Sequence, residues 1–202
     1  KLMSKFAMET NGLSIPTDES VRALSRRSFM ALIKDSAVVE DSWVHVDDGK
    51  DLSNQDSVIV SLDRWQDEHE TLAKRNTPLG IRLRSDQPPS EIVGDLSRFA
   101  VIALEFPAFT DGRAYSYARL LRERLCYTGE IRAVGNVLRD QLSLMQRCGF
   151  DAFEVNSSEK ASNWLDAFQE IDVVYQPAGD KFETVMSRRQ QAHGAHRAHT
   201  GR

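Results

Sequence analysis

The sequence predicts an α/β protein: an open, mainly parallel sheet of five or six βα units, preceded by an antiparallel hairpin. Three observations carry this. Short runs rich in Val, Ile and Leu alternate with segments whose apolar residues recur at helical spacing. Turn residues separate the two kinds of segment. The 202 residues, 41% of them hydrophobic, suffice for one core. Alternation of this kind means right-handed crossovers and a parallel sheet, for which a doubly wound arrangement is expected. Five or six units are too few for an eight-fold barrel, so a partial or distorted TIM-like barrel is the alternative.

The elements follow in order. Ala31–Lys34, a turn at Asp35-Ser36, and Val38-Val39 running on through Trp43–Val46 read as the hairpin, closed by Asp47-Asp48-Gly49. Val58–Leu62 then precedes a helix with Trp65, His69 and Leu72 on one face, and Leu79–Leu83 precedes Ile92, Val93, Leu96 and Phe99 at similar spacing. Val101–Phe106 leads to a helix from about Arg113 to Leu125. Glu130–Gly135 leads to Val137, Leu138, Gln141, Leu142, Met145 and Cys148, and Phe150–Val155 to Ala161, Trp164, Leu165 and Phe168. Ile171–Tyr175 offers a last strand. The unit so defined is 30–177. Residues 1–29 read as a disordered extension and 178–202 as a basic, His-rich disordered tail.

Charge is unevenly placed. The formal net charge is -4, but residues 1–29 carry +2 and 181–202 carry +4, leaving -10 on 30–180. An acidic body without a basic stripe argues against nucleic-acid binding. No apolar run is long enough to span a membrane. Ser25–Met30 imitates a twin-arginine signal, but only Met30–Ile33 follow before Lys34 and Asp35 interrupt, too short for an export signal. With two cysteines, Cys126 and Cys148, a cytoplasmic location is expected.

Several reaction signatures are absent from the sequence: the dinucleotide and phosphate-loop glycine motifs, the nucleophile elbow, and the His-Glu-x-x-His metal helix. No NAD, nucleotide or iron–sulfur cofactor therefore has sequence support, no metal site is expected, and the cofactor and catalytic residues stay open. His193, His196 and His199 sit in the polar tail and read as solvated. Cys148 ends an apolar helical series and reads as a small core residue, and His69 as a half-buried packing residue.

Ligands of parallel sheets bind beyond the carboxyl ends of strands. Those ends gather Asp63 and Arg64, Arg84–Asp86, Thr110–Arg113, Asn136–Asp140, and Asn156-Ser157. The candidate anion or ligand-binding residues are Thr110, Asp111, Arg113, Tyr115, Asn136, Arg139 and Asp140. Thr110 and Asp111 suit helix capping, and Arg113 could hold an anionic oxygen such as sulfite, phosphate or carboxylate. Arg139 with Asp140 reads equally as a local ion pair. Tyr115 and Tyr117 lie two apart and cannot share a helix face; Tyr117 is expected in the core and Tyr115 toward the loop.

Met30–Lys34, Phe106–Arg113, Tyr115-Ser116 with Ala118–Arg122, Val134–Gln141, and Arg147–Phe153 together resemble the bacterial family called domain of unknown function 934. The likeness covers about residues 30–177. It implies an oxidoreductase role in sulfite reduction, a description resting on association with sulfate-assimilation genes. The implied partners are sulfite reductase or another sulfate-assimilation enzyme. The chain departs from the family pattern at Cys126, where glycine is common and a left-handed helix cap is therefore in question, and at Asn136, where aspartate is common. Two functions follow: an accessory protein of sulfite reduction, or a small-molecule enzyme or anion-binding protein using the Thr-Asp-Gly-Arg loop.

Overall fold

The computed structural model describes residues 30–156, 161–170, 174–175 and 183–190. The expected extension 1–29 with its arginine pair, most of the last strand, Ser157 and the histidine tail lie outside the described residues. Eight strands form one sheet: β1 (Met30–Lys34), β2 (Ala37–Val39), β3 (Val44–His45), β4 (Val58–Ser61), β5 (Leu79–Leu83), β6 (Phe99–Phe106), β7 (Glu130–Gly135) and β8 (Ala152–Asn156). Their order is β2-β1-β8-β7-β6-β5-β4-β3. β3 to β8 pair in parallel, while β1 is antiparallel to both β8 and β2.

This is the open, mainly parallel sheet with a hairpin. Its strand order never reverses, so same-handed crossovers place the helices on one face rather than two. The winding is that of the partial barrel, not of a doubly wound sheet. Curling is enforced by covalent geometry. β2 and β3 are the two edges, yet only five residue steps separate Val39 from Val44. Five steps reach about 18 Å, whereas the edges of a flat eight-stranded sheet stand about 34 Å apart. The expected hairpin arm through Val46 is corrected accordingly: the hairpin ends at Val39, and Val44–His45 belongs to the far edge.

The helices pack on the outer face. They are α1 (Leu62–Asp67), α2 (His69–Leu72), α3 (Arg113–Arg119), α4 (Leu142–Cys148) and α5 (Ala161–Asp166). A 3-10 segment, Pro89–Arg98, connects β5 to β6; Pro88 stands at its cap and Pro89 at its first position, where a missing N–H costs no helical bond. Val93, expected on its apolar face, is exposed, and Phe99 belongs to β6. The outer-face core joins Val58, Val60, Ile81, Leu83, Ile102, Leu104, Phe106, Ile131, Phe150 and Phe153 to Leu62, Trp65, Leu121, Leu142, Met145 and Trp164.

The registers place His45, Ile59, Gly80, Arg82, Val101, Ala103, Glu105, Glu130, Arg132, Val134, Ala152, Glu154, Leu32 and Lys34 on the inner face. Small residues are required there. A Cβ on Gly80 would stand 2.9 Å from Ile59 Cγ1 and 3.2 Å from the Val101 carbonyl oxygen. Ile59, Val101, Ala103 and Val134 form a second, small apolar cluster on which Trp43 is laid. Beyond the expected boundary at 177, Val174 bridges Thr184 and residues 185–190 are helical.

Candidate functional site

The carboxyl ends of β4, β5 and β6 are joined by a belt of polar side chains. Ser61 caps α1, accepting the Arg64 N–H at 3.0 Å while its hydroxyl donates to Asp48 at 2.6 Å. Asp63 receives Arg84 at 2.6 Å and Gln87 Nε2 at 2.9 Å, and Gln87 Oε1 accepts the Arg84 backbone N–H at 3.0 Å. One residue on, Ser85 is buried. Its hydroxyl accepts from Arg113 Nη2 at 2.8 Å, and its carbonyl accepts the Tyr117 hydroxyl at 3.1 Å. Arg113 in turn grips Asp111 with two parallel bonds, Nε to Oδ1 at 3.0 Å and Nη2 to Oδ2 at 2.6 Å. Arg113 and Asp111 are thus brought together, but as partners of one another.

Asp111 does its capping from one position early. Its Oδ1 accepts the backbone N–H of Arg113, the first residue of α3, at 3.2 Å, while Gly112 stands at the cap position itself. The Arg113 side chain holds the Asp111 carboxyl well below the usual carboxylate range and is itself raised by it. Nη1 of Arg113 takes no part in these bonds and the side chain is half exposed, so one edge of the guanidinium faces solvent. Thr110 is exposed and caps nothing.

Both tyrosines are partly buried against the core, as expected for Tyr117 but not for Tyr115. Tyr115 stacks edge-on against Phe106 with ring centroids 5.3 Å apart, and its hydroxyl is buried without a partner. Burial pushes that phenol up to about 12. Tyr117 is the one that reaches the loop, at Ser85.

Asn136, Arg139 and Asp140 stand on the neighbouring loop. Gly135 has φ +90, and a Cβ there would meet the Phe106 carbonyl oxygen at 2.6 Å; the same oxygen accepts the Asn136 N–H at 2.7 Å. Only glycine allows this approach. Arg139 pairs with Glu170 and donates to the Asn163 carbonyl, so its partner is not Asp140. Among the described residues, no hydrogen bond or ion pair joins Asn136, Arg139 or Asp140 to the Asp111–Arg113 pair. Gln141, which the sequence reading passed over as a helix-face residue, donates to the Phe109 carbonyl at 3.2 Å, leaving its buried Oε1 without a partner. Phe109 and Leu144 are exposed on this side. Gln87 is absent from the sequence-derived candidates, and Tyr117 was expected there only as a core ring; Gln87 sits directly before two prolines, a turn signal that marks a loop-pinning side chain.

Arg64 is buried and serves structure: it donates to the carbonyls of Asp47 at 3.0 Å and Lys50 at 2.7 Å, and to Glu68. Among the described residues, no group of three or more metal-ligating side chains occurs, and no helix is long and apolar enough to cross a membrane.

Comparison with known families finds one match. The model described as "Bacterial protein of unknown function (DUF934)" matches residues 80–186. The chain belongs to this family. The match begins in β5 and takes in the whole Ser85, Asp111–Arg113 and Asn136–Gln141 rim. No curated protein and no solved structure matches the chain.

Proposed function

We propose that this family member is a cytoplasmic accessory protein of assimilatory sulfite reduction that works by docking on a reductase or its electron donor, sulfite reductase being the first partner to test. The observation that carries the reading is the exposed Phe109. Its side chain is 54% accessible on the β6–α3 loop, and its carbonyl is tied to Gln141, three residues before the equally exposed Leu144. An aromatic on a braced loop and a leucine on the first turn of α4, both held out of the core, suit a protein contact. The surrounding cations are spent internally, Arg84 on Asp63, Arg113 on Asp111 and Arg139 on Glu170. The acidic body, -10 over 30–180, would steer a cationic partner.

The free Nη1 edge of Arg113 favours the second reading, an anion site. Two variants separate them. Phe109→Ser with Leu144→Ser is expected to fold normally, to lose association with sulfite reductase of the same cells, and to abolish growth on sulfate; Arg113→Ala is expected to keep both. The wild-type association weakens as salt rises toward 0.15 M, where screening acts within about 8 Å. Growth and association retained by the double variant overturn docking through this face, and growth lost only in Arg113→Ala favours the anion site.

A further inference from the structure

The chain between the sheet's two edges does not pass outside the curled sheet. It crosses the inner face, where Asp41 and Trp43 project onto strands distant in sequence. Asp41 Oδ1 accepts the Trp43 N–H at 3.0 Å, bending the strap, while Oδ2 receives Arg132 Nη1 at 2.9 Å. Two residues past Trp43, His45 Nε2 lies 2.7 Å from Glu154 Oε1, an oxygen that also accepts Arg132 Nη1 at 3.0 Å. Arg132 Nε donates to Glu130 at 2.9 Å, and Lys34 to the other oxygen of Glu130 at 2.8 Å. The guanidinium of Arg132 is fully buried, and its Nη2 has no partner.

The charge of this network depends on His45. Arg132 and Lys34 face three carboxylates, those of Asp41, Glu130 and Glu154. The other charged pair on the inner face, Arg82 with Glu105 at 3.9 Å, cancels itself. Around His45 stand Ile59 and Ser61 on β4 and Trp43 on the strap; just past β3 are two exposed carboxylates outside the buried sum, Asp47, which pairs with Lys50, and Asp48, which accepts the Ser61 hydroxyl. An imidazolium at His45 makes the sum zero, and a neutral imidazole leaves one uncompensated negative charge where desolvation makes it costly. β3 is two residues long; Val44 N–H donates to Ser57 and Val46 N–H to Ile59, and past it Arg64 anchors the Asp47 and Lys50 carbonyls, so the latch acts on 40–46 ahead of that anchor.

We propose that His45, Glu154, Arg132 and Asp41 form a protonation latch that sets how tightly the 40–46 strap closes the inner face of the sheet. With His45 protonated, the strap is clamped at both ends and Trp43 covers Ile59, Val101, Ala103 and Val134. Loss of that proton releases the β3 end and uncovers this apolar cluster. The latch is independent of the docking face, which lies at Phe109 and Leu144 on the outer side.

Amide hydrogen exchange of the full chain tests it, comparing peptide 40–46 with peptide 100–106 of β6 and dividing each by its intrinsic rate. From pH 5.5 to 8.5 the strap's exchange is expected to rise about three- to tenfold relative to β6, the worth of one half-buried ion pair. His45→Gln should exchange at the open level at every pH. Glu154→Gln removes one carboxylate, balances the network with a neutral imidazole, and should stay closed throughout. Equal pH dependence in wild type and His45→Gln overturns the latch, as does a wild-type strap whose relative exchange is flat. Should His45→Gln not fold, a Glu154→Gln strap that still opens with pH overturns it alone.

Discussion

Cys126 holds a backbone conformation that side chains avoid. Its φ is +52, one residue beyond Leu125, the cap of the π turn that follows α3, and the next N–H, of Tyr127, closes onto the Leu121 carbonyl at 2.9 Å. The left-handed cap that the missing glycine put in question is therefore made, by a residue for which it costs about 1–2 kcal/mol. Cys126→Gly is expected to raise stability by about 1 kcal/mol after glycine's larger unfolded-state entropy is set against the relieved strain. In urea the midpoint should move up with the slope unchanged; a lower midpoint would mean that the exposed thiol contributes packing. Tyr115 supplies the converse case, a favourable ring carrying an orphaned hydroxyl. Tyr115→Phe keeps the stack on Phe106 and is expected to leave stability equal or higher by up to about 1 kcal/mol. Loss of growth on sulfate in this folded variant would assign the hydroxyl to a ligand. The core contact of Tyr117 was legible but that of Tyr115 was not, because two-residue spacing excludes a shared face without excluding that both rings reach the core.

Periodicity placed the elements well and their interruptions badly. The expected helix through Trp65, His69 and Leu72 breaks at Glu68, whose backbone leaves helical geometry while its carboxylate takes Arg64 at 3.1 Å. The helix from Arg113 to Leu125 widens into a π turn at Leu120–Arg124. That turn brings Arg122 to four acceptors: the carbonyls of Tyr127, Gly129 and Gly149, and the Asp151 carboxylate, which also accepts the Ile131 N–H at 2.8 Å. These partners lie 5 to 29 residues away, so no local spacing reveals them. Arg122→Met should cost about 2–4 kcal/mol, through a half-buried carboxylate and carbonyls left unpaired. Arg122→Lys should recover little, since one ammonium cannot span that fork. A lysine variant as stable as wild type in urea would show that charge alone matters. The candidate site suffers the same blindness: Asp111 and Arg113 were found from their place after β6, but Ser85, which fixes where the guanidinium points, is 28 residues distant.

Alternation of strands and helices made the parallel sheet legible, yet strand order is a matter of crossover steps that composition does not record, and the curl follows from a strap only the assembled sheet makes short. The inner ion network contributes to the acid response of the molecule through Glu154. His45 and Arg132 draw the Glu154 carboxyl below 4.5 against the opposing effect of burial. Since its folded value is the lower one, its contribution is complete above about pH 4.5 and is lost as pH falls through the folded value. Glu154→Gln should flatten the fall in urea midpoint between pH 5 and 3, and an unchanged slope would remove Glu154 from the acid response. We propose, on the same logic of long-range contact, that the folded unit runs past 177. Periodicity stops near Tyr175, which set the expected unit at 30–177. However, Val185 N–H donates to the Val174 carbonyl at 2.9 Å, Thr184 Oγ1 accepts the Ser187 N–H at 3.2 Å to start the turns after it, and the family match runs to residue 186. Val174 itself is buried. A chain ending at residue 190 should therefore melt with the full-length protein, whereas one ending at 177 leaves the Val174 carbonyl without its partner and should melt lower by several degrees, about 1 kcal/mol in a unit of this size. Identical melting of the two would return the boundary to 177.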